Sequence, residues 1–316
     1  AQPLEADARS PRPFGAAAPQ SPDNRPLAFL LASALAVLAL TLAALFLWER
    51  HTLMAAAAMV VLIVGAERVL EWRYTLHRDS EARLTTLERL GAVRSRLEGV
   101  ISKNLSLTNG LAAFVAANPE LNQQEFAAYA RYVIAREPSL RNLAAARDMV
   151  VRYVYPLKGN EAVLGLDYRS KAAQREAAER VLKSGDMVVA GPVDLVQGGT
   201  AFIGRAPVYI DTPGRPRVTW GLVSAPIDVA KVFDQAGLND PALAGMRIAI
   251  RGKDGRGEQG EVFYGDEGVF AARNVVTMPV LIGGGSWQIA ALPARNGATV
   301  AGIWMLRAFA LALLAL

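Results

Sequence analysis

The chain has 316 residues, 52% of them hydrophobic, with a formal net charge of +5, two histidines and no cysteine. The lack of cysteine excludes disulfides, thiolate metal sites and a cysteine nucleophile, and with only His51 and His77, both beside apolar runs, a histidine-based metal or acid–base site is a poor reading. About six basic and six acidic residues lie outside positions 73–298, so that segment carries the whole net charge, and its basic residues are scattered without interleaved aromatics, which argues against a nucleic-acid surface.

Residues 1–26 are rich in Ala and Pro and lack hydrophobic periodicity, which predicts a disordered tail. Leu27–Trp48 is free of charge and long enough to span a bilayer, with Trp48 and Arg50 placed as interfacial anchors. A second apolar run, Leu53–Ala66, ends at Glu67 and Arg68 and is short for a span. The expectation for residues 27–70 is a helical hairpin turning at Glu49–Thr52. The alternative is a single span whose helix continues along the surface. Lys and Arg show no strong bias between the short loops, so the charge rule leaves the side of the middle segment open.

From Tyr74 to about Ala117 the pattern is a long helix. Leu90, Val93, Leu97, Val100, Asn104, Leu107, Leu111 and Phe114 recur at spacings of three and four, a heptad seam with Asn104 as its polar member. Two readings stay open for this stripe: a stalk that pairs with a second copy to make a homodimer, and a helix that packs on its own domain. Asn122 with Glu125 has the form of a capping box opening a helix that ends before Pro138. Beyond it, Met149–Tyr155 reads as a strand, Val163–Tyr168 as extended, and Ser170–Leu182 as an Ala-rich helix closed by Gly185. Met187–Val196 and Thr200–Ile210 read as strands joined at Gln197-Gly198-Gly199. Val218–Ala225 is a further strand, and Asp228 caps a short helix ending near Gly237. Met246–Arg251, Glu261–Tyr264, Val275–Ile282 and Trp287–Leu292 complete the strand-like runs. The segment Val300–Leu316 is apolar apart from Arg307 and is read as a membrane helix cut in mid-span, with an output domain beyond it.

This order predicts an α+β fold, a long N-terminal stalk helix followed by α/β sensor units and flanked by transmembrane helices. The motifs of common enzymes fail in context. Gly255-x-Gly257-x-x-Gly260 matches a dinucleotide fingerprint in form, but it lies between two strand-like runs with no helix behind it. Gly252-Lys253 lacks the upstream glycine of a phosphate loop, and no Gly-x-Ser-x-Gly or Ser-x-x-Lys is present. Asp148, Glu161, Asp167 and Asp194 lie near one another in sequence and are read as caps and surface charges rather than paired catalytic carboxylates.

The densest signal is Arg152-Tyr153-Val154-Tyr155-Pro156-Leu157, followed by Gly159-Asn160-Glu161 and Leu164-Gly165-Leu166-Asp167-Tyr168. Gly191-Pro192-Val193, Leu195, Gln197-Gly198-Gly199 and Arg205-Ala206-Pro207-Val208 come after it. Together with Arg136 and Pro138–Leu143 upstream and Trp287 and Pro293 downstream, this resembles the CHASE domain, a sensory domain of cyclases and histidine kinases, over about residues 90–295. The resemblance implies a long helix leading into PAS-like units, held outside the cytoplasm between membrane helices. It also implies a small-molecule ligand and an output that is a diguanylate cyclase, a cyclic-di-GMP phosphodiesterase or a histidine kinase; plant cytokinin receptors share the family. If residues 53–70 span, the tail lies outside too, and the hairpin departs from the family's commoner single anchor.

The expected organisation is a tail (1–26), membrane segments (27–70), a CHASE-like sensor domain (74–298) with its stalk at 74–117, and a last membrane helix (299–316). The expected role is the ligand-sensing input module of a receptor in a bacterial inner membrane, with a periplasmic sensor, no catalysis in these residues, no cofactor and no metal. An adaptor binding an envelope partner, or a hydrolase using the acidic cluster, are the rival classes. Tyr155, Asp167, Tyr168, Leu195, Phe202 and Arg205, near strand ends, are the candidate ligand contacts. Arg205 is placed to take a ligand carboxylate or phosphate, or to form an ion pair with Asp167 or Asp194. Asn160, Gly165, Gly191 and Pro192 are read as turn residues.

Overall fold

The computed structural model describes residues 33–41, 43, 51–170, 172–195, 198–294, 304, 305, 307, 308 and 312. The expectations for the tail, for most of Leu27–Arg50 and for most of the last segment therefore lie outside the described residues. The chain divides into two compact units, Ala1–His77 with Gly297–Leu316, and Arg78–Asn296. In the first unit Glu71 accepts from Arg68 at 3.2 Å and from Arg307 at 3.0 Å. Among the described residues no helix is long and apolar enough to cross a membrane.

Helix α1 runs from His51 to Ala117 without a break. It starts well before Tyr74, where the sequence placed it, and His51 and Thr52 are helical rather than part of a turn. In the second unit the buried stripe of α1 is Leu90, Val93, Leu97, Ile101, Asn104, Leu105, Thr108, Leu111, Ala112 and Val115. Val100 and Leu107, expected in the seam, are only half-buried. The reason is geometric: a straight helix drifts by about 20° per heptad, so its contact face moves from the 3.5-residue seam to a 3.6-residue one. This stripe packs into the main core of the chain's own domain. The stalk residues Leu90, Val93, Leu97, Asn104 and Leu111 are thereby occupied within one chain, and they are not a free surface for a second copy. Asn104 and Thr108 tolerate burial because each donates to a carbonyl four residues back, Val100 O at 2.9 Å and Asn104 O at 2.8 Å.

Helix α2 (Gln123–Ile134) opens with the expected capping box: the Asn122 side chain accepts from the Gln124 and Glu125 amides, and Glu125 accepts from the Asn122 amide at 2.9 Å. Five strands follow around helix α3 (Ala172–Ser184): β1 (Leu143–Arg147), β2 (Val150–Tyr155), β3 (Val188–Asp194), β4 (Thr200–Ile210) and β5 (Val218–Asp228). They form one antiparallel sheet in the order β2-β1-β5-β4-β3. Strand β1 has no counterpart in the sequence reading. The expected extended run Val163–Tyr168 is instead a turn at Leu164-Gly165 between two short 3-10 helices, Glu161–Val163 and Tyr168–Ser170, with Asp167 bridging Val150 of the sheet. The period of two splits the sheet. Leu143, Ala145, Phe202, Ala206 and Val223 join the main core with α1. Ala144, Val154, Val188 and Leu222 face the other way, onto Ala178 and Val181 of α3.

Asp228 caps the short helix α4 (Val229–Gln235), accepting from the Lys231 amide at 3.2 Å. The remaining strands are β6 (Arg247–Arg251), β7 (Val262–Tyr264), β8 (Val276–Ile282) and β9 (Gly285–Leu292), in a second antiparallel sheet ordered β7-β6-β9-β8. The glycine fingerprint is a closed loop between β6 and β7, where a Cβ on Gly260 would come within 2.5 Å of Gly252 Cα. Gly283 and Gly284 turn the β8–β9 hairpin. Phe202, Phe263 and Trp287 meet in the core, with ring centroids 4.7–5.8 Å apart.

Candidate functional site

The α3 face of the first sheet carries polar groups that a plain core would not. Strand pairing sets Val154, Ala144, Ser224, Arg205 and Val188 side by side in one row across β2, β1, β5, β4 and β3. Arg205 is therefore flanked by apolar neighbours and Ser224, and it is only 1% exposed. Its Nη2 donates to Gln174 Oε1 on α3, and its guanidinium carbon lies 5.3 Å from the centre of the Tyr168 ring. Tyr168 is held in place by its hydroxyl, which donates to Ser224 Oγ at 3.1 Å. Arg205 Nε and Nη1 are buried with no partner among the described residues. Burial pushes the Arg205 guanidinium pKa down, and Arg180 nearby adds to that, against Tyr168 and Asp254.

Gln174 also lines a cavity of about 340 Å³. Its walls are α3 through Ala177 and Arg180, β3 through Val193 and Asp194, and the loop after β6 through Lys253 and Asp254. The loop is pinned: Arg180 Nη2 donates to Asp254 O at 3.0 Å, and the Gly191 amide donates to Asp254 Oδ1 at 2.7 Å. Arg180 Nε is, like the two Arg205 nitrogens, buried and unpartnered. On the same side of the sheet Asn142 donates to Asn160 Oδ1 at 2.6 Å, while its own Oδ1 accepts from no residue.

Of the six residues expected to contact a ligand, the structure brings together Tyr168 and Arg205. Asp167 turns away and pairs with Arg169 at 2.8 Å; the Arg169 side chain and amide hold its carboxyl below the usual range. The ion pair expected between Arg205 and Asp167 or Asp194 is not formed, because Asp194 instead accepts from Thr200 Oγ1 at 3.1 Å beside the cavity. Phe202 is wholly buried on the opposite face, among Phe233, Phe263 and Trp287. Leu195 sits half-buried in the β3–β4 turn, and Tyr155 half-buried at the end of β2 with Arg131 5.9 Å from its ring. Gln174 and Arg180 escaped the sequence reading, yet Gln174 carried a signal. It stands three, four and seven residues before Ala177, Ala178 and Val181, so it is the polar member of the buried face of α3.

The suspected acidic cluster does no joint work. Glu161 accepts from the Gly159 amide at 2.9 Å and Asp167 from the Arg169 amide at 2.9 Å, both as local turn acceptors. Asp148 lies in the β1–β2 turn, with φ +49°. Among the described residues no group of His, Cys, Asp and Glu is arranged to hold a metal ion.

A family model of the CHASE domain matches residues 106–264, from within α1 to the end of β7. The chain belongs to the CHASE domain family. The matched CHASE region takes in the whole first sheet, α3 and the Asp254 loop, and hence every residue of the cavity. No curated protein matches the chain. Among solved structures it is similar to an extracellular ligand binding receptor from Desulfohalobium retbaense, at 14% identity and a TM-score of 0.46, with 68% of this chain covered but only 40% of that one. It is also similar to the ligand-binding domain of the amino acid chemoreceptor PctC of Pseudomonas aeruginosa, in complex with GABA, at 15% identity and a TM-score of 0.47, covering 68% of this chain and all of that one. The ligand-binding domain of the Campylobacter jejuni chemoreceptor Tlp3, in complex with 4-methylisoleucine, is 12% identical with a TM-score of 0.47, covering 68% of this chain and 92% of that one.

Proposed function

We propose that this chain is the ligand-sensing input module of a membrane-bound signalling receptor, with its sensor unit in the periplasm of a bacterium. Membership of the CHASE family supports the sensory role. The observation that carries the reading to a site is the buried, incompletely satisfied Arg205 beside the 340 Å³ cavity, since protein interiors rarely leave such donors without a partner. The strand order β2-β1-β5-β4-β3 beside a long helix supports a PAS-like sensor unit. Tyr168, Arg205, Gln174 and Arg180 are the residues assigned to the ligand.

The sheet couples that site to α1. A ligand seated between α3 and the sheet presses on one face, and the other face packs on the α1 stripe through Phe202, Ala206 and Val223. A bound state that favours one arrangement of α1 over another needs only about 1–3 kcal/mol of coupling. In this reading residues 27–70 and 299–316 hold the membrane anchors, and the receptor works as a homodimer. The output that the module controls is a cyclic-di-GMP synthase or hydrolase, or a histidine kinase.

The test is a thermal-unfolding screen of the whole chain, purified in mild detergent, against a library of small molecules. A true ligand at a hundredfold excess over its Kd stabilises the folded state by about 2.7 kcal/mol. A folded sample that no small molecule stabilises sinks the reading and favours a protein partner from the cell envelope.

A further inference from the structure

Two guanidinium groups have hydrogen-bonding capacity unspent near the cavity: Arg180 lines it, and the buried Arg205 lies behind the lining residue Gln174, to which it donates. Arg205 is 1% exposed and gives one N–H to the neutral Gln174; Arg180 gives one to the Asp254 carbonyl. Arg205 Nε and Nη1 and Arg180 Nε are buried and have no partner, and neither side chain forms an ion pair among the described residues. Several other cations of the unit are ion-paired: Arg169 with Asp167, Arg217 with Asp211, Arg247 with Asp266, Lys253 with Glu261 and Arg256 with Glu176. The three carboxylates at the cavity are themselves engaged, Asp254 by the Gly191 amide, Asp194 by Thr200 and Glu176 by Arg256. A buried guanidinium without a counter-ion is expensive, and its planar fork of five donors suits an oxyanion better than any neutral group.

We infer that the cavity under α3 recognises an anion: a carboxylate or phosphoryl group of the ligand is held by Arg205 and Arg180. The inference rests on the sensing role proposed above and adds the chemical class of what is sensed. Arg205 supplies the buried charge at the sheet, steadied by the Tyr168 face on one side and Gln174 on the other. Arg180 supplies the second positive group on α3, beside the loop that closes the cavity. An anion bound here links α3 and β4 beside the Asp254 loop, which Arg180 and the Gly191 amide already hold in place.

The experiment is thermal unfolding of the whole chain at matched ionic strength with sodium acetate, inorganic phosphate and acetamide as probes, alongside the uncharged and cationic compounds of a general library. Acetate or phosphate should raise Tm by several degrees while acetamide leaves it unchanged, and whichever anion acts names the oxyanion. The rise should vanish in Arg205→Met and fall strongly in Arg180→Met. Without a probe, Arg205→Met should unfold at or above the wild-type temperature, because it removes an uncompensated buried charge. If Arg205→Met does not fold, the Arg180→Met result decides. Stabilisation by neutral or cationic compounds alone overturns the anion site and leaves the sensor intact, as does an anion effect that survives in the variants that fold. Stabilisation by nothing overturns both.

Discussion

Phe202 and Arg205 stand three positions apart on β4, so the alternation of the strand sends them to opposite faces. Both were legible as important and neither face was. Phe202 packs with Phe233, Phe263 and Trp287 and is wholly buried. Phe202→Ala should therefore lower unfolding stability by about 3–5 kcal/mol, read as a fall in the urea midpoint. The variant should keep its response to small anions wherever it remains folded. Loss of that response in a folded Phe202→Ala protein would put Phe202 in the site after all. The sequence pointed to Arg205 and Tyr168 through their places near strand ends, whereas Arg180 and Asp254 come from elements more than 70 residues apart, joined by the Arg180–Asp254 hydrogen bond. Only tertiary contact could unite them. The same applies to Asp167, whose apparent closeness to Arg205 in the motif is undone by Arg169, two residues away.

At the level of elements, the capping box of α2, the Asp228 cap of α4 and most strands were readable because each depends on local chemistry. Strand β1 was not, since Leu143–Arg147 is Ala-rich and locally suits a helix. It becomes a strand because it fits between β2 and β5, where four of its five residues are buried. Gly221 on β5 makes that fit possible: its φ is +150°, and a Cβ there would lie 2.0 Å from Ala146 O. Gly221→Ala should unfold the sheet edgewise from β1, and hydrogen exchange should show β1 and β2 amides losing protection before those of β3 and β4. Uniform loss would mean that the sheet opens as one body. For α1 the heptad reading found the helix and left its partner open, and the stripe packs on the chain's own domain. Leu97 is fully buried in the chain's own core, so Leu97→Ala should cost about 2–5 kcal/mol. Leu84, by contrast, is 61% exposed. If two copies pair along α1, Leu84→Asp should weaken self-association in sedimentation while leaving the unfolding midpoint almost unchanged. Unaltered sedimentation would move the dimer contact elsewhere.

On the scale of the whole sensor unit, the first sheet is a plate with a candidate ligand on one side and α1 on the other, and a buried polar junction ties the two. Glu137, 1% exposed, lies between α2 and β1; Lys103 Nζ of α1 approaches its Oε2 at 2.5 Å, and the Ser139 hydroxyl donates to its Oε1 at 2.6 Å. Ser139 in turn sits 3.2 Å from Asn104 of α1, and its carbonyl accepts from Asp228 at the end of β5 at 2.8 Å. Burial raises the Glu137 carboxyl, but the hydrogen bonds from Lys103 and Ser139 together outweigh it and hold the group below the ordinary carboxylate range. A pKa lowered on folding contributes stability that is fully present above the unfolded-state pKa and is lost as pH falls through the folded one. Glu137→Gln keeps the shape and removes the charge. The variant should thus be less stable than wild type at neutral pH, with a gap that holds above the unfolded-state carboxylate pKa of about 4.3 and closes as pH falls through the lowered folded-state value. A gap independent of pH would reduce the junction to packing. Because Glu137 and Lys103 lie away from the cavity residues, the variant should bind the same anion and yet pass less of that binding to α1. Hydrogen exchange along α1, with and without the ligand, measures that loss of coupling directly.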